Sequence, residues 1–390
     1  VSRKTLAGKQ IVVAVTGSIA AVETVRLIHA LRRRGAEVQP VMSAAAAGII
    51  HPDSLTYASE RETIARLSGM VEHVTYCGDG GSASLLLIAP CTANTIGKIA
   101  CGIDDTPVTT FATTALGRGM PVLIVPAMHY SMYCHKGVCE NIAKLRSWGI
   151  EFVDPRIEEE KAKIADIDEI VLRCERMIMG QPLKGKRILI TSGACTEPVD
   201  DVRILTTRSS GAMGRAIALQ AFRLGADVTV VHRDAIPCVE NIPSGTANSM
   251  REAVCKALAD TPPADLFISA AAISDFAPEQ VKGKIPSGAP VSLSLRPLPK
   301  LLKEVMERSS STRIVAFKLG RGQEEKGREM IRSGISIVLV NEPETMGNTK
   351  GSYCIISGRG ERSITGTKDE IAADLWEEII AVCGWDRERK

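Results

Sequence analysis

Two small-residue runs and one basic loop in this chain are of types that handle phosphate. Ser209-Ser210-Gly211-Ala212-Met213-Gly214 stands directly ahead of apolar residues at helical spacing (Ala216, Ile217, Leu219, Ala221, Leu224). Small residues let a backbone approach an anion closely, and a helix start offers unpaired N–H groups and the positive dipole end. Thr16-Gly17-Ser18-Ile19-Ala20-Ala21 is a second such turn, after the apolar run Gln10–Val15. Lys282-Gly283-Lys284 lies in a stretch with no helical period, a basic loop able to meet charge developing on phosphate. The other candidates transfer protons or donate hydrogen bonds. His73 stands in MVEHVTY, and an imidazole titrates near neutral pH. Thr92 and Asn94 follow the apolar run Ser84–Pro90, Asp275 follows Asp265–Ala272, and Asn341 follows Ile335–Val340. Short polar groups at the carboxyl ends of buried strands are where open α/β sheets bind ligands.

The elements that must position these groups are legible in outline. Lys186–Val231 reads as strand, glycine-bearing loop, helix and strand, a βαβ unit that begins afresh at mid-chain. Gln10–Val15, a helix to about Arg34 and Val38–Met42 form a similar opening for the first half. Gly180-Gln181-Pro182-Leu183-Lys184-Gly185 reads as a linker, so two α/β domains are expected, 1–180 and 181–390. Further strands are expected at Ser84–Pro90, where Pro90 should stop ladder pairing, and at Pro121–Pro126, Asp265–Ala272, Arg313–Phe317 and Ile335–Val340. Asp168–Met179 and Thr367–Cys383 read as helices and Met346–Gly360 as a hairpin.

Composition narrows the function class. A net charge of +3 on 390 residues argues for neither nucleic acid nor a membrane surface as partner. No apolar run reaches the roughly 18–20 residues that span a bilayer, and VSRKTLAGKQ lacks a signal-peptide core, so a cytoplasmic protein is expected. Eleven cysteines contain no C-x-x-C pair, which favours reduced, packed thiols over a zinc site.

The first half then resembles the FMN-binding cysteine decarboxylases, which share a flavodoxin-like fold. TGSIAA, APCTANTI and PAMHYSMY stand in order where that family carries TGSIAAY, PA(S/T)AN and PAMNxxM. The resemblance implies that Gly17, Ser18, Ser43, Thr92 and Asn94 hold FMN. It further implies that His73 is the general base, and that Asn94, Met128, His129 and Met132 contact substrate. His129 replaces the family asparagine. The family's flap cysteine has no counterpart in DPRIEEEKAKIADIDEI, leaving the proton donor open among Cys134, Cys139, Lys161 and Lys163.

The second half resembles the Rossmann-like phosphopantothenate–cysteine ligases. ITSGACTEPVDDVRILTTRSSGAMG, AAAISDF, GKIPS, AFK and VNE follow that family's motifs in order, with Thr207 at an asparagine position and Cys195 at a threonine position. The resemblance implies a CTP site of Ser209, Ser210, Gly211, Met213, Gly214, Asp275, Lys284, Phe317 and Asn341. Lys284 would be catalytic, Lys282 and Lys318 secondary phosphate contacts, and Thr207 a substrate contact. Together the halves resemble an archaeal-like variant of the bifunctional decarboxylase–ligase family of coenzyme A biosynthesis. What that implies is a CTP- and Mg2+-dependent ligation of cysteine to 4′-phosphopantothenate, with metal ligands unassigned, followed by FMN-dependent decarboxylation. Trimeric flavin domains and dimeric ligase domains are also implied. One alternative is a flavin-binding regulatory or scaffold protein that retains ligase activity only. Another, an NAD-dependent oxidoreductase, is disfavoured because Lys186–Val231 lacks G-x-G-x-x-G.

Overall fold

The computed structural model describes residues 4–288, 290–309 and 311–386. The chain divides into two compact units, Val1–Gly180 and Gln181–Lys390. In the first, a five-stranded sheet has the spatial order Glu37–Met42, Gln10–Val15, Leu85–Cys91, Val122–Pro126, Glu151–Phe152. Every neighbouring pair is parallel, which places the sheet between two helical layers. The first strand shows why its sequence is continuously apolar. Ile11, Val13 and Val15 join one core with Leu27, Leu31 and Ile170, whereas Val12 and Ala14 join the opposite core with Ile96, Phe111 and Ala112. Successive strand residues point to opposite faces, so a strand covered on both sides must be apolar throughout.

The second unit carries an eight-stranded sheet. Its order is Glu240–Pro243, Asp227–His232, Arg187–Thr191, Leu266–Ser269, Arg313–Leu319, Ile337–Asn341, Lys350–Ser357, Gly360–Thr367. The first six strands are parallel, and the last two close the edge as an antiparallel hairpin. Both sheets reverse their winding beside the first strand of the unit, the point where α/β sheets leave a crevice at the carboxyl ends.

Three expectations are corrected. Pro90 does not end its strand: the ladder to Val122–Pro126 loses register between Ile88 and Cys91 and resumes at Cys91 with Pro126. A proline removes one donor, and the pairing passes over the gap. The Asp265–Ala272 strand is only Leu266–Ser269, after which Ala270–Ile273 bend out of the sheet. The Met346–Gly360 hairpin is instead Lys350–Thr367, with its turn near Gly360 (φ 126°), where glycine tolerates the left-handed side of the map. No helix among the described residues is long and apolar enough to cross a membrane.

The closing helix Lys368–Cys383 packs on Ala212–Arg223 through Trp376, which is fully buried and donates its indole N–H to the Ile217 carbonyl at 3.0 Å. Trp376→Ala should cost the second unit about 3–5 kcal/mol, the usual penalty for emptying a large aromatic site. Urea denaturation of wild type and variant side by side measures it, and a loss below about 1 kcal/mol would contradict this packing role.

Candidate functional site

In the first unit the predicted residues gather at adjacent strand ends. Thr16 follows the first strand. Its hydroxyl donates to the Pro90 carbonyl at 2.8 Å and accepts the Thr92 N–H at 3.0 Å, tying the two strands that flank the winding reversal. Thr92 caps the helix Ala93–Cys101 by accepting from Thr95 N–H, and Asn94 stands exposed on its first turn. Gly17 abuts the turn after the second strand: a Cβ there would lie 2.6 Å from the Ala45 Cβ. Ser43 opens that turn, accepting from Ala46 N–H while its own N–H reaches the Val15 carbonyl. Gly17, Ser18, Ser43, Thr92 and Asn94 therefore share one rim. Thr16, part of the TGSIAA motif but not among the FMN contacts it implied, holds it together.

His73 lies on the helix Glu72–Cys77 with its ring edge-on to Phe111, centroids 6.5 Å apart. Its Nδ1 is buried without a protein partner. No hydrogen bond among the described residues joins His73 to Asn94 or Ser18.

Met128–His129 is a short strand that pairs with Lys161–Lys163, which pairs in turn with Arg156–Glu158. This three-stranded flap, in the stretch where the resemblance placed one, turns at Glu159 and Glu160, both left-handed (φ 51° and 57°) where such turns usually place Asn-Gly, so composition did not mark the turn. His129 caps the short helical turn Tyr130–Tyr133, its Nδ1 accepting from the Ser131 N–H. The same Nδ1 lies 2.9 Å from the Ser131 hydroxyl, which fixes the ring's orientation and leaves Nε2 for a ligand. Met132 is exposed. Among the open proton-donor positions, Lys163 is bound to Glu158 (3.0 Å) and Glu159 (3.3 Å), and Cys139 donates to the Tyr133 carbonyl. Cys134 hydrogen-bonds the Tyr130 side chain and pushes that phenol's pKa up. Lys161 stands directly opposite His129 in the register.

In the second unit a cleft of about 560 Å³ opens at the winding reversal, within the usual range for small-molecule sites. It brings together Thr207, Ser209, Ser210, Gly211, Met213, Asp275, Phe317, Lys318 and Asn341. Gly211 (φ 73°) begins the helix Ala212–Arg223 without a side-chain cap, so the first-turn N–H groups are unpaired at the cleft. Close packing permits this. A Cβ at Gly214 would come 2.4 Å from the Ser192 hydroxyl, so Gly214 serves the approach and does not line the cleft. The Thr207 hydroxyl is buried with no protein partner, an acceptor and donor still to be used. Asn341 donates its amide to the Thr345 hydroxyl at 2.6 Å. The charges are lopsided: Arg208, Lys318 and Lys368 line the cleft with no ion pair among the described residues, and Asp275, the one carboxylate, is paired with Lys300. Arg208, Thr345, Tyr353 and Lys368 were missed by the motif reading. For Lys368 a signal existed, the Thr367-x-x-Glu370 capping box that marks the helix start at the cleft rim. No cluster of three or more His, Cys, Asp or Glu among the described residues could hold a metal ion.

Lys282 and Lys284 lie outside the cleft lining, exposed on a loop. Asp200 and Asp201 tether that loop: Asp200 accepts from Ile285, Val202 and Arg203 N–H groups, and Asp201 from Gly283 N–H. Burial opposes ionisation of Asp200, but those N–H donors and the Arg203 guanidinium outweigh it, holding the carboxyl well below the usual range. Its stabilising contribution is therefore complete above the unfolded value, about 3.9. It fades only as pH falls through the lower folded value. Amide exchange at Ile285, corrected for intrinsic rate, should thus be flat from about pH 7 to 5, and Asp200→Ala should accelerate it on the order of tenfold. Equal exchange in both proteins would mean the tether is idle.

The Flavoprotein family matches residues 1–179, and the DNA/pantothenate metabolism flavoprotein C-terminal domain family matches residues 183–382. The chain is 43% identical over 390 residues to the coenzyme A biosynthesis bifunctional protein CoaBC of Thermococcus kodakarensis, covering 97% of this chain and 96% of that one. It is 33% identical over 387 residues to the protein of the same name from Methanocaldococcus jannaschii, covering 96% and 94%. A crystal structure of the C-terminal domain of a CoaBC protein is similar at 28% identity and a TM-score of 0.44, covering 52% of this chain and 98% of that one. With identity of this level running through both units, the chain belongs to the family of the coenzyme A biosynthesis bifunctional protein CoaBC.

Proposed function

We propose that the two units act in succession on one metabolite. The Gln181–Lys390 unit joins cysteine to 4′-phosphopantothenate using CTP, and the Val1–Gly180 unit decarboxylates the product to 4′-phosphopantetheine with FMN. The observation that carries the ligase reading is the cleft's charge. Three cations without counter-ions, an uncapped helix start and an orphan Thr207 hydroxyl call for a polyanionic ligand.

A carboxylate is a poor electrophile, so it is activated first. A carboxylate oxygen attacks the α-phosphorus of CTP, the bond to the β-phosphate oxygen breaks, and pyrophosphate leaves. The neutral amine of cysteine then attacks the acyl carbon, CMP departs and the amine loses a proton. Ser209–Gly214 N–H groups and Lys318 bear the phosphate charge, Thr207 holds the activated acid, and Phe317 and Asn341 flank the base. Lys284, on the loop that Asp200 and Asp201 hold through its backbone, is the catalytic lysine of this reading. With Asp275 already paired, a Mg2+ ion would enter with the nucleotide and would offset its phosphate charge.

In the first unit Gly17, Ser18, Ser43 and Thr92 hold FMN, and the unpartnered His73 Nδ1 and the close-packed Gly17 turn suit a bound group. When bound there, FMN would supply reversible two-electron redox chemistry at the thiol-bearing carbon, the electron sink that loss of carbon dioxide requires. His73 takes the thiol proton, Met128 and Met132 pack on the substrate chain, and Asn94 with His129 Nε2 holds the carboxylate. Self-association, trimeric for the first unit and dimeric for the second, belongs to this reading and rests on the family resemblance alone. Light scattering that returns a monomer would exclude it.

The purified protein should be yellow and release pyrophosphate faster with CTP than with ATP when cysteine and 4′-phosphopantothenate are present. His73→Gln should lower carbon dioxide release at least about 100-fold, the scale of general acid–base catalysis, with ligation unchanged. Ligation by a wild type that releases no carbon dioxide would instead support the scaffold alternative, and a colourless protein that forms no amide bond would end the proposal.

A further inference from the structure

Lys368 is the first residue of the closing helix and half-buried on the cleft wall. Its ammonium donates to the Tyr353 hydroxyl at 2.7 Å and to the Thr345 carbonyl at 3.1 Å. Nζ lies 5.0 Å from the Tyr353 ring centroid but much nearer its oxygen, so it sits at the hydroxyl edge and gains little from the ring face. Both acceptors are neutral. An ammonium has three N–H groups, so one remains and no carboxylate compensates the charge. A part-buried cation without a counter-ion is costly unless the counter-charge arrives with a ligand.

One further feature favours a ligand role: the anchors are rigid. Tyr353 is buried with its ring edge-on to Phe317 at 6.4 Å, and the Thr345 hydroxyl is held by Asn341. Lys368 is thus a pre-positioned donor, unlike Lys284 on its exposed loop.

We infer that Lys368 is a phosphate-binding residue of the ligase cleft and that Tyr353 positions it. The inference rests on the ligase reading above. The phosphate belongs either to the nucleoside triphosphate or to the phosphorylated acid, and kinetics separates them.

Full-length protein is assayed for ligation with each substrate varied at saturating levels of the other, and urea denaturation of each variant beside wild type serves as the folding control. Lys368→Gln should raise one KM at least about tenfold, as expected for a lost charge-assisted hydrogen bond, with decarboxylation unchanged. A rise for the nucleotide assigns the triphosphate. A rise for the acid, absent with unphosphorylated pantothenate, assigns the acid's phosphate. Lys368→Arg should recover most of the loss. Tyr353→Phe should raise the same KM about three- to tenfold with kcat little changed, and the double variant should be no worse than Lys368→Gln, because the tyrosine acts through the lysine. Tyr353→Phe removes one oxygen and stays readable if the lysine variant fails to fold. A wild type that ligates while Lys368→Gln and Tyr353→Phe keep both KM values within about twofold overturns this inference alone. A wild type that ligates nothing overturns the reading of the cleft and this inference with it.

Discussion

Each unit depends on a hydroxyl placed at the end of its first strand. In the first unit the Thr16 hydroxyl accepts the Thr92 N–H, and in the second the Thr191 hydroxyl accepts the Ala271 N–H at 3.3 Å. Both contacts bridge the first strand to the neighbour across the winding reversal, where the backbone ladder ends and helices depart to opposite faces. Without a bridge, the N–H groups just beyond the ladder would need other partners. With it, the two strand ends stay close while the loops beyond them diverge. The first unit's candidate rim and the second unit's candidate cleft both occupy the space so created.

A second constraint is how near a helix start can approach. In the second unit the Ser192 hydroxyl donates to the Gly211 carbonyl at 3.2 Å, and glycine at 214 leaves the room that contact requires. The unpaired N–H groups thereby reach the cleft in a fixed direction. Cations are divided by mobility around that point. Lys318 and Lys368 stand on a strand end and a helix start, while Lys282 and Lys284 ride on a loop that two aspartates hold through its backbone. Fixed donors suit a ligand that must be oriented, and a tethered loop suits charge needed at one step. Glu197 in the TEP motif is structural instead. It is buried and accepts the Ala247 N–H at 2.7 Å, anchoring the start of the helix Ala247–Leu258.

What the amino-acid string determined by itself was the two-fold α/β plan and the position of most chemistry-bearing groups along the chain. Buried parallel strands are apolar without alternation, loops at their carboxyl ends are small or polar, and helices show their period, so each sheet could be read locally. Most residues named from the motifs of the second half line one cleft. Tertiary structure alone decided which groups face each other. Tyr353 and Lys368 lie on a hairpin strand and the helix after it, far in sequence from Thr207, and they meet it because an antiparallel edge folds back beside Ile337–Asn341. The strand pairing of the flap was equally hidden, since its turn uses two glutamates in a conformation their composition does not announce. So were the pairing of Asp275 with Lys300, the capping role of His129 and the exile of Lys284 from the cleft. Periodicity is a property of neighbours in sequence, whereas hydrogen bonds and charge compensation depend on distances that only the folded chain sets.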